Sequence, residues 1–386
     1  MPGTATADVA VVGAGIVGAA CAEALTAAGV KVVVVDRDAV AAGTTASGEG
    51  NVLVSDKEPG PELELAIASR AEWGAVLARL PERVADVEWE SKGGVVVATT
   101  DPGPLKEFAA KQQAAGVDAR VITPAEAFEL EPLLTRKVTI GVHYPDDAQL
   151  QPVLAATALL IAVRDRGSSV RSGVDALGVR TVAGRVVGLS TSDGEIACGA
   201  VLNACGPWAG AFGAAAGAPI QVLPRRGMIL VTAPLPECVR HKVYDADYVG
   251  AVGSGDAELQ TSTVVESTRA GTVLIGSSRE RIGFDDSIRV QVLRELARKA
   301  VGLFPFLGEV PVMRTYGGFR PYAPDHLPVI GPDPRIAGLW HATGHEGAGI
   351  GLAASTGRLV TELFLGLVPH IPADPFRVDR PAVLAS

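Results

Sequence analysis

Cysteine is scarce in this chain: four thiols in 386 residues, none in C-x-x-C spacing. That scarcity excludes a disulfide framework and suits a reducing compartment, so a cytoplasmic protein is expected. The six histidines are scattered apart from His341 and His345, and no metal site is predicted. No long basic run interrupts a net charge of −9, so nucleic acid is not an expected partner. Long apolar runs are missing as well: no stretch reaches the ~18 uninterrupted residues of a membrane span. The nearest, 351–368, contains Arg358 and Glu362 and reads as an amphipathic or buried helix. A basic n-region is absent, so no removable signal is predicted. There is no internal repeat and no low-complexity linker. What remains is 48% hydrophobic, enough for two domains with a substantial core.

The most informative segment stands at the start. Asp8-Val9-Ala10-Val11-Val12 is a short β-rich run that leads directly into Gly13-Ala14-Gly15-Ile16-Val17-Gly18. A helix-like segment follows to Gly29, and 31–35 reads as a second buried strand ending at Asp36. This is the strand–turn–helix–strand setting of a dinucleotide fingerprint. Gly13 permits the tight turn, Gly15 lets the backbone approach a pyrophosphate, and Gly18 lets the helix pack on the strand. The helix N-terminus presents free N–H groups to anionic oxygens. Asp36 follows Gly18 by 18 residues, close to the ~20 at which a carboxylate meets ribose hydroxyls. The fingerprint alone is compatible with NAD or FAD.

Further along, 44–48 forms a polar turn, 61–80 carries helical periodicity, 94–99 reads as a strand and 105–115 as a helix. A helix begins at Pro152, where proline's missing N–H is harmless. The segments 167–177, 185–192 and 195–203 form a strand meander with a Ser192-Asp193-Gly194 hairpin signal. A second sheet is expected from 227–232, 260–265 and 272–277, then a helix over 287–301. Glycine-rich turns return at 316–321 and 340–349, and a long helix closes the chain. The N- and C-terminal thirds therefore read as one domain interrupted by a sheet-forming insert, unlike a simple NAD dehydrogenase.

These motifs together resemble the D-amino-acid oxidase family of FAD enzymes, in the branch containing glycine oxidase and sarcosine oxidase. The resemblance spans nearly the whole chain. It rests on the fingerprint with Asp36, the 44–48 loop and the Asn203-Ala204-Cys205-Gly206-Pro207-Trp208 turn. It rests also on Gly318-Phe319-Arg320-Pro321, the 325–331 segment and the 344–351 turn. Within the branch, His241-Lys242-Val243-Tyr244-Asp245-Ala246-Asp247-Tyr248 and Gly276-Ser277-Ser278-Arg279-Glu280 resemble flavin-bearing beta-type subunits. Those subunits belong to opine oxidase, D-hydroxyproline dehydrogenase and hydrogen cyanide synthase.

The resemblance implies an α/β plus α+β fold. A Rossmann-like FAD-binding domain of the GR2 type (1–82, 149–220 and 319–386) would be interrupted by a substrate-binding domain with a mostly antiparallel sheet (83–148 and 221–318). It implies non-covalent FAD, since the family's covalent-flavin cysteine is not evident in the C-terminal loop. Gly13, Gly15, Ile16, Val17 and Gly18 would meet the pyrophosphate, and Asp36 with Arg37 the adenosine ribose. Thr44, Thr45 and Ser47 would offer hydroxyls to phosphate or flavin edges. Val174 would hold the adenine through its backbone, although by itself it reads as a core strand residue. Gly206, Trp208, Gly318, Gly344, His345, Glu346, Gly347, Gly349 and Ile350 complete the expected cofactor contacts. The N-terminus of the last helix would face the flavin pyrimidine edge.

For the substrate, the resemblance points to Arg320, whose guanidinium fork can grip a carboxylate in a bidentate manner. Tyr244 and Tyr248 would close the pocket, and His345 would sit beside the reacting centre; buried tyrosines also serve in cores without any such role. The expected reaction is hydride transfer from the carbon bearing nitrogen to flavin N5, giving an imine. No protein nucleophile or general base is nominated. The substrate would be a small amino acid or amine: a D-amino acid, proline, hydroxyproline, sarcosine or glycine. Sarcosine oxidases carry a lysine over the flavin in a strand that aligns with 272–276, which here is apolar, so a cation assisting oxygen reduction is expected to be missing. Oxygen, a quinone or a partner subunit therefore stay open as electron acceptor, and a homo- or hetero-oligomer is compatible with the sequence. The alternative is a flavoprotein beta subunit of a heteromeric dehydrogenase or oxidase, inactive without partner chains.

Overall fold

The computed structural model describes residues 5–246 and 256–384. Its opening strand, Ala5–Val12, lies parallel to Val32–Asp36, with Val9 opposite Val32 and Val12 opposite Val35. Both are valine-rich and buried over most of their length, the signature of a parallel sheet covered on both faces. Six strands of the first sheet run in the order Val329–Pro332, Leu339–Thr343, Gly194–Asn203, Ala5–Val12, Val32–Asp36, Ser169–Ser172. Its core is parallel, Val329–Pro332 is antiparallel to its neighbour, and a hairpin of Ala176–Val182 and Arg185–Thr191 pairs on Gly194–Asn203. The helix Ile16–Ala27 packs against Gly349–Phe364 and Pro152–Asp165.

The second sheet runs Val312–Tyr322, Leu223–Thr232, Val273–Arg279, Gln260–Ser267, Lys242–Asp245, Gly94–Ala98, Ile140–Tyr144, Arg120–Ile122. All its pairings are antiparallel except Lys242–Asp245 with Gly94–Ala98. The helix Val290–Leu303 covers one face through Val292, Leu296, Ala300 and Leu303. Strands of the two sheets alternate along the chain in blocks, and Val312–Tyr322 runs across the expected boundary at 318–319.

Local readings and elements differ mainly at ends and in short pieces. The helix predicted over 61–80 spans Pro61–Ala78, and the one over 287–301 spans Val290–Leu303. The single strand predicted over 167–177 is instead two strands, Ser169–Ser172 and Ala176–Val182. Gly173, at φ +73°, turns the chain between them. The polar turn at 44–48 is a short 3₁₀ helix, Thr44–Ser47. Among the described residues, no helix is long and apolar enough to cross a membrane, and no cluster of three His, Cys, Asp or Glu could hold a metal ion.

Candidate active site

A cavity of about 430 Å³ runs from the C-terminal ends of the parallel strands to the face of the second sheet. Its first end is made of backbone. Gly13 has φ +113°, and a Cβ there would sit 2.3 Å from the Ala204 carbonyl oxygen, so only glycine fits. A Cβ on Gly18 would sit 2.0 Å from the Gly13 carbonyl oxygen, which is the close helix–strand packing its position predicts. Gly18 supports the turn and does not line the cavity, whereas Gly13, Gly15, Ile16 and Val17 do. Asp36 accepts from the Ala14 amide at 2.7 Å and from the Asp38 amide at 2.9 Å. It braces the glycine turn while also forming the cavity wall. Val174 lines the same end, with its amide donated to the Asp36 carbonyl. Trp208 forms a further wall, stacked on Phe284 at 5.4 Å with the Arg37 guanidinium 4.4 Å over its ring. Gly206 lies beside it.

The hydroxyls of the 44–47 turn already have partners within the chain. Thr45 Oγ1 accepts the Ile16 amide at 3.0 Å and so meets one of the free donors at the helix start. Thr44 donates to the Phe319 carbonyl at 2.6 Å, and Ser47 donates to the Gly317 carbonyl at 3.4 Å. Both bonds tie the turn to strand Val312–Tyr322 of the other sheet. All three residues line the cavity.

The turn before the last helix lies in the middle. Gly344 (φ +76°) shapes the turn without lining the cavity, while His345, Glu346, Gly347, Gly349 and Ile350 line it. His345 is buried, bonds Thr356 Oγ1 through Nε2 at 2.9 Å, and has no partner for Nδ1 among the described residues. Burial without a compensating charge pushes its pKa down to about 3, so the imidazole is neutral. Glu346 adopts φ +47°, an uncommon conformation for a non-glycine residue. Burial raises its pKa, but the hydrogen bond to His326 and the Arg225 and Arg279 guanidinia outweigh that and hold it at about 2.

The far end is made of charged side chains. Arg320 lines the cavity and donates through Nη1 to the Ser278 carbonyl at 2.8 Å. Gly318 lines it too, and a Cβ there would sit 2.4 Å from Ser47 Cβ. Arg279, 3% exposed, emerges from strand Val273–Arg279 into the same space, near Glu49 and Asn51 from the loop after the 44–47 turn. Sequence reasoning misses Arg279, Glu49 and Asn51; a charge at the end of an apolar strand is the one signal on offer, and it applies to Arg279.

Of the two tyrosines expected in the pocket, one does not take that place. Tyr244 is 0% exposed in the core, donates to Ser55 Oγ, and does not line the cavity. It stands in a strand buried at Lys242, Val243 and Tyr244 alike and packs in the hydrophobic core, and burial pushes its phenol well above the ordinary range. Tyr248 lies outside the described residues. The 272–276 stretch is apolar, but Lys242 is buried directly behind the cavity wall, 2.9 Å from Glu266 and hydrogen-bonded to Asn51.

Known proteins resemble this chain in sequence and in fold. The chain is 28% identical to glycine oxidase of Geobacillus kaustophilus over 381 residues, 97% of each protein. It is 28% identical to hydrogen cyanide synthase subunit HcnC of Pseudomonas aeruginosa over 416 residues, 97% of this chain and 96% of that one. The crystal structure of the Geobacillus kaustophilus glycine oxidase superposes with a TM-score of 0.89 at 26% identity, covering 98% and 99% of the chains. An L-proline dehydrogenase from P. horikoshii shares the fold, with a TM-score of 0.87 at 23% identity over 97% of each chain. The family model DAO, FAD dependent oxidoreductase, matches residues 8–363, and the chain belongs to that family.

Proposed function

We propose that this enzyme oxidises the C–N bond of a small amino acid or secondary amine of the D-amino acid, proline, hydroxyproline, sarcosine or glycine type. The observation that carries the reading is one continuous cavity whose glycine-built end leads to a chamber walled by Arg320 and Arg279. Its residues fit FAD on two counts. The turn at Gly13 and Gly15 packs so tightly on Ala204 and Thr45 that bare backbone forms the cavity wall there, and the buried His345 Nδ1 awaits a hydrogen-bond partner. Gly13, Gly15, Ile16 and Val17 would hold the pyrophosphate, with Asp36 on the ribose and the Val174 carbonyl on the adenine. The start of helix Gly349–Phe364, with Gly347, Gly349 and Ile350, would support the flavin edge where negative charge gathers. FAD when bound supplies the hydride acceptor, and the substrate leaves as an imine that water hydrolyses.

The chain's own work is binding and orientation. Arg320 would grip the substrate carboxylate, its fork held in place by the Ser278 carbonyl. His345, neutral, would act as a hydrogen-bonding group and not as a cation. Cys205, the thiol in the cavity wall, has its pKa pushed far above the usual value by burial, which disfavours the thiolate and fits non-covalent FAD. Residues 1–82, 149–220 and 319–386 would form the FAD-binding part, with 83–148 and 221–318 as the substrate part. A second reading, a flavoprotein subunit that works with partner chains, is favoured by the match to a protein named as a subunit.

The test is anaerobic bleaching of the visible flavin band by glycine, sarcosine, both enantiomers of proline and hydroxyproline, and opines. Bleaching by one of them is the expected result, and admission of air then separates oxygen from other acceptors. Bound flavin that none of them bleaches turns the choice to the subunit reading; failure to bind FAD removes both.

A further inference from the structure

Glu49 has no role in the reading above, yet its position is unusual. It sits in the cavity wall with its side chain only 8% exposed. One carboxylate oxygen, Oε2, accepts from Asn51 Nδ2 at 3.1 Å. The other, Oε1, is buried and has no hydrogen-bond partner among the described residues. Space for it comes from the opposite strand, where a Cβ on Gly276 would lie 2.5 Å from Oε1. The nearby Lys242 ammonium does not meet this need: it is 2.9 Å from Glu266 but 3.8 Å from the held oxygen of Glu49. It also donates to Asn51 Oδ1, fixing the amide that in turn fixes Glu49. A buried acceptor left unmet costs about 1–3 kcal/mol, more when charged. The terminal torsion of glutamate is soft, so the carboxylate can turn an oxygen toward the chamber by giving up the Asn51 bond, which a substrate N–H would replace.

We propose that Glu49 is the group that recognises the substrate nitrogen, accepting a hydrogen bond from its N–H while Arg320 holds the carboxylate at the other end. This rests on the reading of the protein as an amino-acid-oxidising enzyme and makes it more specific. The chamber has a guanidinium wall and a carboxylate wall, so it selects ligands that carry both a carboxylate and a cationic or N–H-bearing nitrogen. A carboxylate of the same shape with an ether oxygen in place of nitrogen offers Glu49 no hydrogen and sets lone pairs against it.

The experiment compares two such pairs on the FAD-loaded protein: proline with tetrahydrofuran-2-carboxylate, and sarcosine with methoxyacetate. Affinities come from ligand-induced shifts of the melting temperature and of the flavin spectrum, under anaerobic conditions. In the wild type the nitrogen compound of at least one pair binds more tightly than its ether. Glu49→Gln should weaken that compound ~100-fold, as for loss of a charge-assisted hydrogen bond, while leaving its ether nearly unchanged. Glu49→Asp, which keeps the charge, should retain part of the preference and carries the test if the glutamine variant fails to load FAD. Equal weakening of nitrogen and ether compounds, or no change in either, overturns the assignment to Glu49 but leaves the amino-acid reading standing. If none of the compounds of the bleaching test binds the wild type, the amino-acid reading falls and takes this assignment with it; if one of them binds where proline and sarcosine do not, its weakening by Glu49→Gln decides in their place.

Discussion

The two ends of the cavity are built by different means. At the nucleotide end the contacts are main chain: a glycine at φ +113°, a helix start, and a carboxylate that bonds the turn beside it. At the far end they are long charged side chains from distant parts of the chain: Arg320, Arg279 and Glu49. A backbone-built site tolerates no added atom but asks little of side-chain chemistry. A site built from side chains can exchange one ligand preference for another without disturbing the fold. The first is expected to be all-or-none under substitution, the second graded.

Gly13→Ala is the harshest way to test that contrast. The added Cβ meets main-chain atoms at 2.3 Å and 2.8 Å, which cannot move without shifting the sheet. FAD retention, measured as the flavin-to-protein absorbance ratio, should be lost outright; a variant that keeps its flavin would deny that the nucleotide end is all-or-none. Arg320→Ala should be graded and confined to the other end. Substrate binding should weaken by the equivalent of ~2–5 kcal/mol, the usual cost of removing one partner of a buried charge pair. Flavin content should stay unchanged, and unaltered kinetics would remove Arg320 from the chamber.

The smallest effect concerns His345, between the two ends. Its folded pKa is depressed to about 3 from 6.5, so between these values the unfolded chain binds a proton that the folded chain does not. The stability it contributes is therefore fully present above 6.5 and is lost as pH falls toward 3. Lowering pH from ~8 to ~5 should cost the cofactor-free protein on the order of 2 kcal/mol through this group alone. Melting curves of His345→Gln should be flatter over that range by the same amount. Equal slopes for the two proteins would mean that the imidazole is not held neutral.

The same contrast governs which parts of the site are legible in the sequence. Gly13, Gly15, Gly18 and Asp36 are close in sequence and keep their spacing because a turn and a helix start are local geometry. The parallel strands announce themselves as valine runs, and the C-terminal helix as a long apolar periodicity. Arg279 and Glu49 give no comparable signal. They share the cavity only because strand Val273–Arg279 comes to lie over the loop that follows the 44–47 turn, and no local pattern encodes that meeting. Tyr244 shows the opposite failure. An aromatic in a family-like segment suggests a pocket, but Lys242–Asp245 is buried from Lys242 to Tyr244, and the tyrosine ring lies in the core. Lys242 escapes notice because its buried partners, Glu266 and Asn51, stand 24 and 191 residues away.

The ties from Thr44 and Ser47 to strand Val312–Tyr322 bear on how such enzymes can be recombined. They make a seam between the two sheets, with residue 318 fitted against Ser47 so closely that no side chain can be added there. Half of that seam is encoded near the start of the chain and half near its end. A chimera that borrows its second sheet from a relative must therefore bring residues 44–47 along with it, because a boundary drawn by sequence position alone would cut both hydrogen bonds.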